Sequence, residues 1–189
     1  MTNTDKKKIR ETIRSARRSL PRNLRDEYSQ RICDSLTNME CIKSAQIIMT
    51  YSAMPDEVNL APLHNNLVSE GKTLCFPFCV KNGIMTALFP EYGVWKKNSM
   101  GIDEPDPEHS RLILPEEIDL VLIPCLAFDS SCARLGQGGG YYDRFLPKAF
   151  NAVKIGVAFE VQHIANVPIV PGQDIYPELI VTENAIYSR

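Results

Sequence analysis

Residues 119 to 124, Asp-Leu-Val-Leu-Ile-Pro, form an apolar run without the alternation of a half-exposed strand. Such a run reads as a strand buried on both faces, as the central strands of a parallel sheet are. It feeds a loop, Arg134-Leu-Gly-Gln-Gly-Gly-Gly-Tyr-Tyr-Asp-Arg144, in which Gly136, Gly138, Gly139 and Gly140 fill four of five positions. The remaining elements are read around that pair. Ile9, Ile13, Ala16 and Leu20 recur at helical steps and predict an amphipathic helix over 5–18. Pro21 suits the first turn of a second helix that buries Leu24, Tyr28, Ile32 and Leu36. Gln46 to Tyr51 reads as a short strand and Ser52 to Asn59 as a polar loop. Leu60 to Glu70 reads as a helix stopped by Gly71. Thr73 to Cys79 and Ile84 to Phe89 are predicted strands around a Lys81-Asn82-Gly83 hairpin turn. Residues 90–115 carry four prolines and little periodicity, and are predicted as a long loop. Lys154 to Phe159 and Glu178 to Thr182 complete the strands. Strands alternating with helices predict one three-layer α/β domain over residues 1–189 with a mostly parallel central sheet. The ligand is then expected beyond the C-terminal ends of the strands.

The glycine loop has a chemistry of its own. A glycine backbone takes positive φ and lets a ligand approach closely. The predicted helix from Tyr141 to Leu146 opens straight out of it, and exposed N–H groups there suit an anion. Arg134 and Arg144 flank the loop with positive charge, and Asp143 is placed to hold a metal that bridges phosphate oxygens. A phosphate or nucleotide fits these residues better than a neutral ligand, although a glycine-rich turn without any ligand has the same composition. No Gly-Lys-Ser/Thr follows the glycines, so this is not a Walker loop.

The formal net charge of −2 conceals an asymmetry, with +7 over residues 1–25 and −9 over the rest. A basic arm of this kind suits RNA, an acidic membrane or a polyanionic small molecule. The interleaved aromatic residues of a single-strand binding platform are missing, which disfavours RNA. No apolar run approaches the roughly 18 residues of a membrane span, and Thr2 to Lys8 are polar where a secretory segment is apolar. Cys33, Cys41, Cys75, Cys79, Cys125 and Cys132 include no CxxC pair and read as free thiols in a reducing cytoplasm. His64, His109 and His163 are scattered, and none is expected to act as a base.

Arg134-Leu-Gly-x-Gly-Gly-Gly-Tyr-Tyr-Asp-Arg-Phe-Leu146, preceded by Pro124-x-Leu-Ala-Phe-Asp129, closely resembles the 5-formyltetrahydrofolate cyclo-ligase family. The likeness extends through Lys6 to Arg10 and Arg14, Met54-Pro-Asp-Glu-Val58, Gly101-Ile-Asp-Glu-Pro105, Gln173-Asp174 and Ile180-Val-Thr-Glu183. The resemblance implies a Rossmann-like, monomeric, cytoplasmic enzyme that takes 5-formyltetrahydrofolate and ATP with Mg2+, and binds neither nucleic acid nor membrane. By matching position, Lys6, Arg10, Arg134, Gly136 to Gly140 (with Gln137), Tyr141 and Tyr142 resemble the ATP site. Ser52, Glu57, Met100, Gln137 and Tyr141 resemble folate contacts, Asp143 and Asp174 the metal ligands, and Arg134 and Tyr142 the catalytic pair. Gln137, Asn59 and Pro177 depart from the family pattern. A small-molecule kinase is the rival enzyme reading.

Overall fold

The computed structural model describes residues 3–80, 83–98, 101–170 and 172–189. Three helices, α1 (Asn3–Ser19), α2 (Arg22–Thr37) and α3 (Glu40–Ser44), precede strand β1 (Ile47–Met49) and helix α4 (Ala61–Ser69). Strands β2 (Thr73–Val80), β3 (Ile84–Phe89), β4 (Trp95–Lys97), β5 (Asp103–Pro105), β6 (Arg111–Ile113) and β7 (Leu120–Pro124) follow. A small hairpin, β8 (Ala127–Phe128) and β9 (Arg134–Leu135), leads into α5 (Tyr141–Phe145), and β10 (Val153–Val157), β11 (Leu179–Val181) and β12 (Ile186–Ser188) end the chain.

The main sheet runs β12-β11-β10-β7-β1-β2-β3-β6. Its middle five strands, β11 to β2 in that order, pair in parallel, and the antiparallel pairings lie at the two edges. Burial of β7 explains why its sequence lacks alternation: Leu120, Val121, Leu122 and Ile123 are all 0 % exposed. Leu120 and Leu122 join Ile48, Leu74 and Phe76 against α2 and α4 on one face. Val121 and Ile123 join Met49, Cys75 and Ala87 against Phe145, Leu146 and Ala149 on the other. Helices on both faces of one sheet make the three layers.

Helix α1 stands apart from those layers. Its apolar residues Ile9 and Ile13 pack on Leu126, Ala127, Ala133 and Leu135, which belong to the β8–β9 hairpin and its approach. Amphipathicity thus fastens the basic helix onto the segment that presents the glycines. Helix α2 buries Ile32 and Leu36 as expected, but Pro21 sits at its N-cap, ahead of the first turn. The loop expected over 90–115 instead contains β4, β5 and β6. Each has three residues, too few to print a period in the sequence. Strands β2 and β3 pair as the hairpin expected, from Val80 opposite Ile84 inward, while Lys81 and Asn82 of its turn lie outside the described residues.

Between α4 and the sheet, His64 Nε2 lies 2.8 Å from Thr50 Oγ1 and its ring meets Phe76 edge-on. Burial lowers its pKa to about 4. The unfolded chain therefore binds a proton here that the folded chain does not, throughout the interval from about pH 6.5 down to 4. The stabilisation is complete above the unfolded value and is lost as the pH falls through that window, by about 3 kcal/mol in all. Denaturant melts at pH 7.5 and pH 4.5 are expected to show this loss in the wild type and a smaller one in His64→Gln. Equal losses would remove His64 as the cause.

Candidate active site

Asp129 fixes the hairpin that carries the loop. Its Oδ1 accepts from the N–H groups of Ser131 and Ala133, and its Oδ2 accepts from Val167 N at 2.7 Å. Burial alone would raise its pKa, but the Ser131 hydroxyl, which donates to Oδ1 at 2.6 Å, and then these backbone bonds outweigh it and hold the carboxyl below its ordinary range. Arg134 leaves this hairpin from β9 and the glycines follow. Gly138 adopts φ +109, and a Cβ there would come within 3.3 Å of the Arg10 guanidinium. Gly140 adopts φ +65 at the N-cap of α5, with Arg144 so close that a Cβ would lie 2.7 Å from it. Both glycines thus let a cation reach the backbone. Arg144 uses that room to donate to Gly139 O at 2.6 Å and Gly83 O at 2.9 Å.

Helix α5 is a single turn, shorter than the sequence reading by one residue. Its dipole is correspondingly small. Attraction for an anion falls mainly to side chains, and α1 supplies three of them at steps of four residues. Lys6 pairs with Asp174 at 2.8 Å. Arg10 Nε donates to Gly136 O at 3.0 Å. Arg14 donates to Gln137 Oε1 at 2.8 Å. Among the described residues, neither Arg10 nor Arg14 makes an ion pair. Burial and the neighbouring Arg14 lower the pKa of Arg10, opposed by Asp174. The loop therefore carries positive charge in excess of what its carboxylates cancel.

Deeper in, Arg134 is 6 % exposed and its Nη2 meets Asp143 Oδ1 at 2.6 Å. Among the described residues its Nε has no hydrogen-bond partner, and neither does the buried hydroxyl of Tyr142, whose ring lies beneath the guanidinium at 6.0 Å. Buried donors are almost always satisfied, so these two suit an acceptor on a bound ligand. Burial, and then the field of Glu57, push the Tyr142 phenol well above its ordinary value. It remains an O–H donor at neutral pH and does not serve as a base. Asp143 Oδ1 also accepts from Ile175 N at 3.3 Å, which draws the segment carrying Asp174 up to it.

The loop after β1 closes the other side. Glu57 Oε2 accepts from Met54 N at 3.1 Å, and its Oε1 receives Arg17 Nη1 and Gln137 Nε2, each at 3.4 Å. Arg17, 2 % exposed, also donates to Asp56 Oδ2 through Nε and Nη2 at 3.2 and 2.9 Å.

These groups surround one cavity of about 1170 Å³. Lys6, Arg10, Ser52, Glu57, Arg134, Gly136 to Gly140 with Gln137, Tyr141, Tyr142, Asp143 and Asp174 all line it. Met100 lies outside the described residues. Tyr51, Ser52 and Pro124, at the C-terminal ends of β1 and β7, floor it, the position expected of an open parallel sheet. A second cavity of about 980 Å³ shares Tyr51, Ser52 and Asp103 and continues past Phe76 and Trp95. Asn59 serves the backbone, its Oδ1 accepting from Ala61 N, and Pro177 packs near Gly156. Among the described residues, a cluster of three metal-type ligands occurs at Asp106, Glu108 and His109. It does not line this cavity, and Lys96 and His109 already engage Asp106 at 2.9 and 3.0 Å. Sequence reasoning missed Arg17. The signal present was the continuation of the Lys6, Arg10, Arg14 stripe by three residues.

A model of the 5-formyltetrahydrofolate cyclo-ligase family matches residues 2–183. The chain belongs to that family. Over 172 residues it is 28 % identical to the 5-formyltetrahydrofolate cyclo-ligase of Haemophilus influenzae, covering 88 % of this chain and 92 % of that one. Among solved structures, the 5,10-methenyltetrahydrofolate synthetase of Aquifex aeolicus superposes with a TM-score of 0.84 at 28 % identity, over 97 % of this chain and 92 % of the other. That of Mycoplasma pneumoniae gives 0.78 over 95 % and 99 %, and at 22 % identity it speaks to the cyclo-ligase fold alone. No helix among the described residues is long and apolar enough to cross a membrane.

Proposed function

We infer that this chain, acting as one domain and as a monomer, cyclises 5-formyltetrahydrofolate to 5,10-methenyltetrahydrofolate at the expense of ATP, releasing ADP and phosphate. Family membership supports the reaction, and the two buried donors without a partner among the described residues, Arg134 Nε and Tyr142 O–H, support a site at the glycine loop.

The chemistry requires such a site. A formamide oxygen is a poor leaving group, so N10 cannot close the ring unaided. Transfer of the γ-phosphoryl group to the formyl oxygen leaves an iminium phosphate and ADP. N10 then attacks the formyl carbon and gives up its proton, the C–O bond breaks, and the oxygen departs within phosphate. The protein has little covalent work; it aligns the oxygen with the γ-phosphorus, spreads charge and excludes water. Lys6, Arg10 and the glycine backbone hold phosphate oxygens, with Tyr141 beside them. Arg134 and Tyr142 direct their free N–H and O–H at the oxygens that gain charge during transfer. Glu57 faces the amide and amino edge of the pterin, and Ser52 and Gln137 border the same substrate.

Asp143 and Asp174 fit a Mg2+ ion. They are two hard oxygen ligands drawn together through Ile175, and each now rests on a cation, Arg134 and Lys6 respectively. Binding of the nucleotide would let those cations turn to phosphate. The ion, when bound, would offset the charge of the phosphate oxygens.

Absorbance of the methenyl product with and without MgATP tests the reading, and it is expected to rise only with nucleotide. Phosphate that stays attached to the folate product would instead identify a kinase. Glu57→Gln is expected to weaken 5-formyltetrahydrofolate binding about 10- to 100-fold, the range of a lost charged hydrogen bond. ATP, titrated alone, is expected to change less than about twofold, because Glu57 lies among its folate-side partners. Equal losses for both ligands would count against a pterin-side role.

A further inference from the structure

Arg17 has no place in the chemistry just described, yet it is one of the largest fully buried side chains of the fold. It sits on the same helix as Lys6 and Arg10, eleven and seven residues further along. Its grip is uneven. Both contacts to Asp56 Oδ2 are of ordinary hydrogen-bond length, 2.9 and 3.2 Å, whereas the one to Glu57 Oε1 is long at 3.4 Å. Gln137 makes a similar long contact to the same oxygen, and its own side-chain carbonyl is held by Arg14 of the same helix. Glu57 is therefore linked to α1 twice, directly through Arg17 and through the glycine loop by way of Gln137 and Arg14. Both links are loose at the carboxylate and firm at the other end.

We propose that Arg17 is a positioning residue that transmits occupancy of the nucleotide site to Glu57, so that nucleotide and folate bind with positive linkage. The inference rests on the site assignments above. A 17-residue helix moves as a rod, so phosphate drawn onto Lys6 and Arg10 resets Arg14 and Arg17 with it. The long Arg17–Glu57 contact has room to shorten, while the Asp56 pair anchors the guanidinium. A carboxylate fixed in advance loses less entropy when the pterin arrives, which raises affinity. Reciprocity requires folate to tighten nucleotide binding by the same factor.

The test measures the dissociation constant of 5-formyltetrahydrofolate on the whole chain, with and without a saturating non-hydrolysable ATP analogue and Mg2+. The wild type is expected to show roughly tenfold tighter binding with the nucleotide, within the usual range of such couplings. Arg17→Lys keeps the charge but loses the fork that spans Asp56 and Glu57, and its ratio is expected to fall to within about twofold of one. Its affinity for the analogue alone is expected to stay near wild type. Arg18→Ala supplies the control on the same helix, since Arg18 is exposed and reaches only Asp56, at 3.4 Å; its ratio is expected to match wild type. Should Arg17→Lys fail to fold, the pair Arg17→Met with Asp56→Asn removes both members of the shorter buried ion pair, leaves Glu57 held by Met54 N and Gln137, and reads the same ratio.

Full coupling retained in the Arg17 variants, or a wild-type ratio of one with both ligands bound, overturns the inference and leaves the site assignments standing. Failure of the wild type to bind the nucleotide or the folate overturns the assignments themselves.

Discussion

Asp143→Asn is expected to lower turnover by about 100- to 1000-fold, the scale seen when one preorganised electrostatic contact at a reacting centre is removed. The amide keeps the shape of the carboxylate and can still accept from Ile175 N and Arg134 Nη2, the two partners present in the fold. Thermal unfolding is therefore expected to stay close to wild type, because Asp143 is partly exposed and Arg134 keeps an acceptor. On the proposed site the variant loses a negative ligand for Mg2+, so the magnesium concentration giving half-maximal rate is expected to rise. Steady-state rates across a magnesium titration separate the two consequences. Wild-type rates at limiting magnesium would remove Asp143 from the metal site, and a large drop in melting temperature would reassign it to the hairpin.

How much of this is legible in the chain depends on the length over which each signal repeats. Strand β7 is legible because four consecutive apolar residues are buried on alternate faces, which leaves no polar position to hide the strand. The glycine loop is legible because Gly138 and Gly140 adopt positive φ, a demand that composition announces directly. Among the short strands, β4, β5, β6, β8, β9 and β12 are not, since their existence depends on partners that sequence spacing does not name. Arg17 illustrates the same limit at the site. As one of two adjacent arginines it reads as solvated charge, and only Asp56 and Glu57, some forty residues away, make burial tolerable for it. Gln137 reads as a departure from a family pattern; its amide joins Arg14 to Glu57, so the position connects the two halves of the site through hydrogen bonds.

Tyr142→Phe is expected to move activity and stability in opposite directions. The phenol hydroxyl is buried and has no hydrogen-bond partner among the described residues. An unsatisfied buried polar group costs roughly 1–3 kcal/mol, so deleting the oxygen while keeping the ring is expected to leave stability unchanged or raise it by up to about that amount. The ring contacts survive, including the Arg134 guanidinium over its face. In the proposed reaction the same hydroxyl donates to an oxygen that gains charge, and loss of one such donor in a dry site is expected to lower kcat by about 100-fold. KM for ATP and folate is expected to change less than about threefold, because the contact strengthens chiefly in the transition state. Denaturant melts and single-turnover rates on one preparation decide the matter. A residue placed there only for packing would move stability and leave kcat untouched, and a general base would show an activity profile shifted with pH. The phenol is held protonated by burial and by Glu57. The rates of the wild type and of the Tyr142→Phe variant are therefore expected to keep a constant ratio from about pH 6 to about pH 9, well below where the buried hydroxyl would ionise.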